Sequence, residues 1–404
     1  MNRRHFLNVL GAANSVAQTR ARIRPITRGP KFHWFGYYDK QQFDPSSRYA
    51  LGVEGSFEHR LPTAEDSLRI GMVDTQDDDR WIDLGETHAW SWHQTCMLQW
   101  LPGSQTEVIY NDRQNGRLVS HILNVKTGRR RTLPSPIYAV SPDAQWAVVN
   151  DFRRSGDMRP ETGYKGLRDP FADELAPEKS GIWKMDLRTG KYELIVSLAQ
   201  VAAIPPLTPY TRNAKHYFDH LLVSPDGRRF AFFQRWRGDN EGRNFRTRML
   251  TADSGGKDVR VIDPHGLTSH YIWRDPSTIL VWMWRPQTGE HFYLLNPTTG
   301  DAEVYAPEGM PKNGHASYLR GKRFIVNDTY PDAQRLQHIY LYDTQKEIRH
   351  ELAQLHSPPE YTGHWRCDTT PRCSPDGQKV VVDSPHGGNG RQMYLIDIRE
   401  VGSH

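Results

Sequence analysis

The sequence predicts an all-β fold: a seven-bladed β-propeller of four-stranded antiparallel blades, closed by an N-terminal strand that completes the last blade. Three observations carry this. A turn phrase built on Pro-Asp or a close variant, followed by a short apolar run, recurs seven times along the chain. A second kind of turn, on Asp or Asn near Thr-Gly, lies between short alternating segments after these phrases. The 404 residues also include 32 Gly and 27 Pro, a supply of turn formers that suits many short strands.

Taken in order, the chain begins with Arg3-Arg4 before His5-Phe6-Leu7, an apolar stretch to Ala13, and the small-x-small pattern Ser15-Val16-Ala17. This is the pattern of a twin-arginine export leader over residues 1–17, and it implies a periplasmic or secreted protein whose single domain spans 18–404. The segment Ala21–Thr27 precedes the first repeat and is expected to pair as the missing outer strand of the seventh blade, with Pro25 tolerated on an edge. The phrases follow: Asp44-Pro45-Ser46-Ser47, Leu101-Pro102-Gly103-Ser104, Ser141-Pro142-Asp143, Ser224-Pro225-Asp226-Gly227, Asp275-Pro276, Leu319-Arg320-Gly321 and Ser374-Pro375-Asp376-Gly377. The second turns include Asn124–Gly128, Asp186–Gly190 and Asn296–Gly300. A unit of about 40 to 55 residues with four strands is one propeller blade, because a lone sheet cannot bury both faces until neighbours pack against it. The third unit is stretched by insertions at 152–180, which carries Arg153, Arg154, Arg159, Tyr164 and Lys165, and at 199–217, which carries His216; long loops of this kind serve binding faces.

Composition narrows the function classes. Lys and Arg number 52 against 47 Asp and Glu, a formal charge of +5, and the signs are interleaved without the basic blocks of a nucleic-acid binder. No run approaches the roughly 18 apolar residues that would span a membrane. Cys96, Cys367 and Cys373 form no disulfide framework, and a zinc site from Cys367, Cys373, His364 and His386 is a poorer reading than small buried thiols. No Gly-rich phosphate loop, nucleophile elbow or H-E-x-x-H motif points to an organic cofactor or a familiar hydrolase.

In a propeller the innermost strands start at one mouth of the central channel, so the residues just before each phrase gather there. These are His33, Tyr37 and Tyr38; Trp92, His93 and Gln94; Tyr138; His220; His270; His315; and His364, Arg366 and Asp368. Two chemistries suit such a ring. His220, His270 and His315 are candidate ligands for a divalent metal such as Mn, Ca or Zn, with Asp368 as a carboxylate neighbour. Alternatively a His and a Tyr act as base and acid while an Arg neutralises a substrate carboxylate, which makes His93, Tyr138, Arg154, His220 and Arg366 the candidate catalytic residues. Arg154 reaches that groove only if the chain curls back over the channel. Trp236, Trp273, Trp282 and Trp284 are candidates for stacking on sugar rings, although most are better explained as blade packing.

The strings His33-Trp34-Phe35-Gly36-Tyr37-Tyr38-Asp39-Lys40, Trp90-Ser91-Trp92-His93-Gln94 with Cys96–Trp100, and His364-Trp365-Arg366-Cys367-Asp368, together with Phe218-Asp219-His220 and Ser269-His270-Tyr271, resemble the seven-bladed propeller polysaccharide lyases. The likeness is to the oligogalacturonate lyases and, in its Tyr and Arg positions, to the ulvan lyases. It implies β-elimination on a uronate-containing oligo- or polysaccharide. His93, Tyr138 and Arg154 stand at places similar to the base, acid and carboxylate-binding residues of the ulvan lyases. The oligogalacturonate lyases imply a manganese site using a His like His270 and a His pair before the last Pro-Asp-Gly; here that stretch reads Asp368-Thr369-Thr370-Pro371, so other residues must supply it. The rival readings are a non-catalytic glycan-binding or scaffolding propeller and a glycoside hydrolase.

Overall fold

The computed structural model describes residues 17–18, 21–206, 213–237 and 245–401. The leader pattern therefore lies almost wholly outside the described residues, as does 207–212 of the second insertion. Seven sheets follow one another along the chain, each antiparallel throughout its four-stranded part, and they form the seven blades. The innermost strands are Phe32–Trp34, Gln99–Trp100, Ala139–Val140, Lys215–Val223, Thr268–Asp275, Ser317–Tyr318 and Arg372–Cys373. Each repeated phrase forms the turn from the innermost strand to the second.

The phrase encodes that turn locally. In Ser224-Pro225-Asp226-Gly227 the serine hydroxyl donates to Asp226 at 2.7 Å and accepts from the Arg229 amide at 3.0 Å, while Gly227 takes a φ of +69°. The left-handed conformation is open to glycine without a Cβ penalty. Ser141 and Ser374 repeat the serine-to-aspartate bond at 2.6 and 2.5 Å.

Arg22–Pro25 pairs antiparallel with Gln392–Asp397, Ile23 opposite Ile396, and completes the seventh blade. The first and last blades are also joined at the channel, where Asp383 accepts from the Phe35 and Gly36 amides and from Arg372. The outer edge of the sixth blade carries a two-residue parallel pairing with Ala17–Gln18. Apolar clusters lie between blades rather than at one centre: Ile109, Tyr138, Val148 and Phe232 join blades two to four, and Leu51, Trp100 and Val381 join blades seven, one and two. This packing buries the two faces of each sheet.

Candidate active site

The segments leading into the innermost strands converge on a cavity of about 530 Å³ at one mouth of the channel. Tyr37, His93, Gln94, His220, His270, His315, Arg366 and Asp368 line it. Arg159 and Thr162 enter from the 152–180 insertion, and Arg235 and Tyr330 from the second-strand side of blades four and six.

Irregularities in the innermost strands place two of the histidines. In blade four the register slips between Asp219 and Leu222, and His220 takes a φ of +53°. In blade five it slips between Thr268 and Tyr271, around His270. A bulge re-aims a side chain out of the regular alternation, and a non-glycine residue at positive φ is unusual enough to mark a constrained position. His220 Nδ1 lies 3.1 Å from Asp219, and Tyr37 packs edge-on against its ring at 5.2 Å between centroids. His270 Nδ1 is 3.2 Å from Asn313 Oδ1, and His315 Nδ1 is 3.0 Å from Asp328.

These surroundings separate the protonation states. Burial lowers the pKa of His220 to about 4, against a partial upward pull from Asp219. Burial and, next, the charge of Arg366 hold His93 well below its ordinary value. Burial and then the neighbouring His315 do the same to His270. His315 goes the other way: burial opposes its charge, but contact with Asp328 overrides that and raises its pKa. Tyr37 is pushed well above its usual range by burial, and Tyr330 to about 12. The cavity thus holds three neutral imidazoles, His93, His220 and His270, beside protonated phenols at neutral pH, with His315 the one histidine whose charged form is favoured.

Four guanidiniums line the cavity; Arg391 donates to Glu58 at 3.1 Å and to the Trp365 carbonyl at 2.8 Å. Arg235 donates to Asp219 at 2.6 Å; Arg159 lies 3.5 Å from the same carboxylate and donates to Glu161 at 2.9 Å; Arg366 donates to Asp368 at 3.0 Å. Phe245 lies against Arg159 and Arg235, and Tyr330 against Arg366. Despite burial, Arg159 keeps Glu161 down at about 2, and Arg366 pulls Asp368 lower still.

Two sequence-predicted catalytic residues are not at the cavity. Tyr138 is fully buried below it: its hydroxyl donates toward Asp219 at 3.4 Å and accepts from Gln94 at 2.8 Å and the His220 amide at 3.1 Å. Arg154 is also buried, in the short helix Phe152–Met158 capped by Asp151. Its guanidinium donates to Asp169 and to the carbonyls of His216, Phe171, Glu174 and Leu175, so it pins the insertion and has no donors to spare for a substrate carboxylate. The helix turns the chain so that Arg159, five residues on, reaches the cavity.

The expected three-histidine metal site also needs correction. The rings form a row, with centroids 6.1 Å apart for His220 and His270 and 4.1 Å for His270 and His315. Among the described residues no three His, Cys, Asp or Glu side chains are placed to hold a metal ion. The rings are tilted 38° and 41° to one another rather than aimed at one point, so the side chains as placed do not fit a three-histidine centre. Cys96, Cys367 and Cys373 are free thiols.

Residues that the sequence reading left without a role are Asp219, Arg159, Glu161, Arg235 and Tyr330. Asp219 stood next to a flagged histidine and Arg159 inside a flagged insertion. Arg235 and Tyr330 carried no local signal, because only the pairing between strands brings them to the mouth.

Comparison with known proteins agrees with the fold. An oligogalacturonate lyase in complex with manganese matches with a TM-score of 0.67 at 15% identity, covering 95% of this chain and 96% of that one. The oligogalacturonate lyase of Vibrio parahaemolyticus matches with a TM-score of 0.65 at 15% identity, covering 96% and 99%. A xyloglucanase from Xanthomonas campestris matches at 0.52 with 12% identity, covering 95% of this chain and 55% of that one. No family model and no curated protein matches the sequence. The chain is a seven-bladed β-propeller with the fold of the oligogalacturonate lyases.

Proposed function

We propose that the protein is an exported lyase that cleaves a uronate-containing oligo- or polysaccharide by β-elimination. The observation that carries this is the cavity itself, where the guanidiniums of Arg159, Arg235 and Arg366 lie beside the neutral imidazoles of His93, His220 and His270 and beside protonated phenols. The C5 proton of a uronate becomes acidic only when its carboxylate charge is neutralised. In this reading Arg366 neutralises it, with Arg159 and Arg235 adding positive charge, and each is held in place by its own carboxylate partner. His220 is the base: it is neutral at working pH, its backbone amide is fixed on Asp219 and its Nδ1 lies 3.1 Å from that carboxylate. Tyr37, whose hydroxyl has no hydrogen-bond partner among the described residues, donates the proton to the departing glycosidic oxygen. Stabilising the enolate-like intermediate is the main catalytic term, worth about 3 to 4 kcal/mol per well-placed donor in comparable oxyanion sites.

His93 also lines the cavity with an unpartnered Nε2 among the described residues, and is the second candidate base. The manganese of the solved lyase belongs to that protein; the histidine row here does not fit such a centre, and no step is drawn through a metal. The export assignment rests on the twin-arginine pattern.

The test is incubation of the purified protein with pectate, ulvan and glucuronate-rich glycans. β-Elimination yields a new ultraviolet-absorbing unsaturated end. New reducing ends without that absorbance mean hydrolysis, and an intact polymer that binds means a non-catalytic propeller; either result sinks the lyase reading.

A further inference from the structure

The four tryptophans that were candidates for sugar stacking separate sharply by exposure. Trp236, Trp273 and Trp282 are buried, whereas Trp284 is 37% exposed. Trp282 and Trp284 lie two residues apart on the second strand of blade five, Thr278–Arg285, and so on the same face of it. Trp282 lines the cavity. Because the innermost strand starts at the mouth, the second strand ends there, and Trp284 continues the cavity wall outward by roughly 7 Å.

The surroundings of Trp284 extend the same surface. Its amide donates to the carbonyl of Leu267 at 3.0 Å, and Leu267, 39% exposed, also lines the cavity. Of the five large hydrophobic side chains exposed among the described residues, these two are neighbours at one rim. Gly266, a lining residue with a φ of +90°, sits against the exposed Arg246: a Cβ there would be 3.8 Å from Arg246 Nη1. An aromatic face and an aliphatic side chain next to a guanidinium match a pyranose ring that bears a carboxylate, with apolar C–H faces and one negative charge.

We infer that Trp284, Leu267 and Arg246 form a second sugar subsite at the cavity rim, which takes another uronate residue of the same chain and selects for longer glycans. This rests on the proposed lyase reading. The alternative, an apolar patch with no ligand, offers no reason for a guanidinium and two hydrophobic groups to continue a polar cavity.

The experiment compares the wild type with W284A, W284F and R246Q on saturated galacturonate dimers and hexamers. Losing one stacked ring face lowers affinity about tenfold, so the ratio of kcat/KM for hexamer over dimer falls by about that factor in W284A and recovers largely in W284F. R246Q lowers the same ratio and makes it less sensitive to salt. An unchanged ratio in both W284A and R246Q overturns the subsite. If the wild type forms no unsaturated product from these or from pectate, ulvan and glucuronate-rich glycans, the lyase reading fails, and calorimetry with the hexamer still decides the subsite. Affinity lower in W284A than in the wild type upholds it; equal affinity, or no binding by the wild type, overturns it.

Discussion

Replacing Asp219 with asparagine tests the electrostatic frame under the cavity. The substitution keeps the shape and removes one charge. Asp219 is 1% exposed; Arg235, only 4% exposed at its side chain, donates to it at 2.6 Å, Arg159 lies 3.5 Å away, and the His220 amide donates at 2.8 Å. Stranding a buried charge by removing its partner costs about 3 to 5 kcal/mol. Arg159 retains Glu161 and the amide oxygen still accepts one hydrogen bond, so the low end applies, about 3 kcal/mol. With an unfolding entropy of about 2 cal/mol/K per residue, that is a melting-point drop of roughly 3 to 4 °C for a chain of this length. The pH dependence gives a second readout. Asp219 titrates well below its ordinary 3.8: burial opposes its charge, but His220, then Arg235 and Arg159, outweigh it. Its contribution is therefore complete above 3.8 and is lost as pH falls through the lower folded value. Urea unfolding of wild type and D219N at a series of pH values should show a constant gap down to about pH 4 that narrows only below it. A gap under about 1 kcal/mol at neutral pH, the size expected for an exposed ion pair, refutes the frame as described.

The remaining expectations concern the chemistry. With His220 as base and its pKa at about 4, kcat/KM on an active glycan stays level from neutral pH down to about pH 5, and its acid limb lies near 4. A limb at the ordinary histidine value of 6.5 points to a different base. The two arginines separate carboxylate binding from scaffolding: R366Q lowers kcat/KM about a hundredfold at a stability cost of only about 1 kcal/mol, since its pair with Asp368 is partly exposed, whereas R154M loses several kcal/mol, as expected for a stranded set of buried acceptors. Steady-state kinetics beside thermal melts check both, and the reverse pattern returns the carboxylate role to Arg154.

How much was legible follows from how locally each feature is encoded. Ser-Pro-Asp-Gly closes its own turn through the serine hydroxyl and a positive-φ glycine, so the blade count could be read directly. The closing strand could be read by counting, since the seventh unit lacked its fourth strand and Ala21–Thr27 had no other place. The histidines of the mouth shared a local frame with the inner strands and were visible for that reason. Arg154 was misplaced because the decisive event, a helix capped by Asp151 inside the insertion, turns the chain within a few residues. Tyr138 was assigned to the right strand but the wrong depth, since depth depends on Gln94 and Asp219 from other blades. The metal candidates share a residue type and a local frame, and neither fixes where their rings point. Whether three imidazoles converge depends on side-chain directions set by two bulges and by Asp328.

The pairing of Arg22–Pro25 with Gln392–Asp397 also imposes an order on assembly. Arg22–Pro25 leaves the ribosome early and has its partner near the other end of the sequence, so it must wait unpaired while nearly all of the residues between are made. Until then the growing protein is an open arc with two bare sheet faces, and the ring is sealed only when Gln392–Asp397 has been made. Cleavage after residue 17 would spare this clasp, whereas trimming the N-terminus only a few residues further would remove it and leave Gln392–Asp397 as a permanent edge, open to pairing with a second chain.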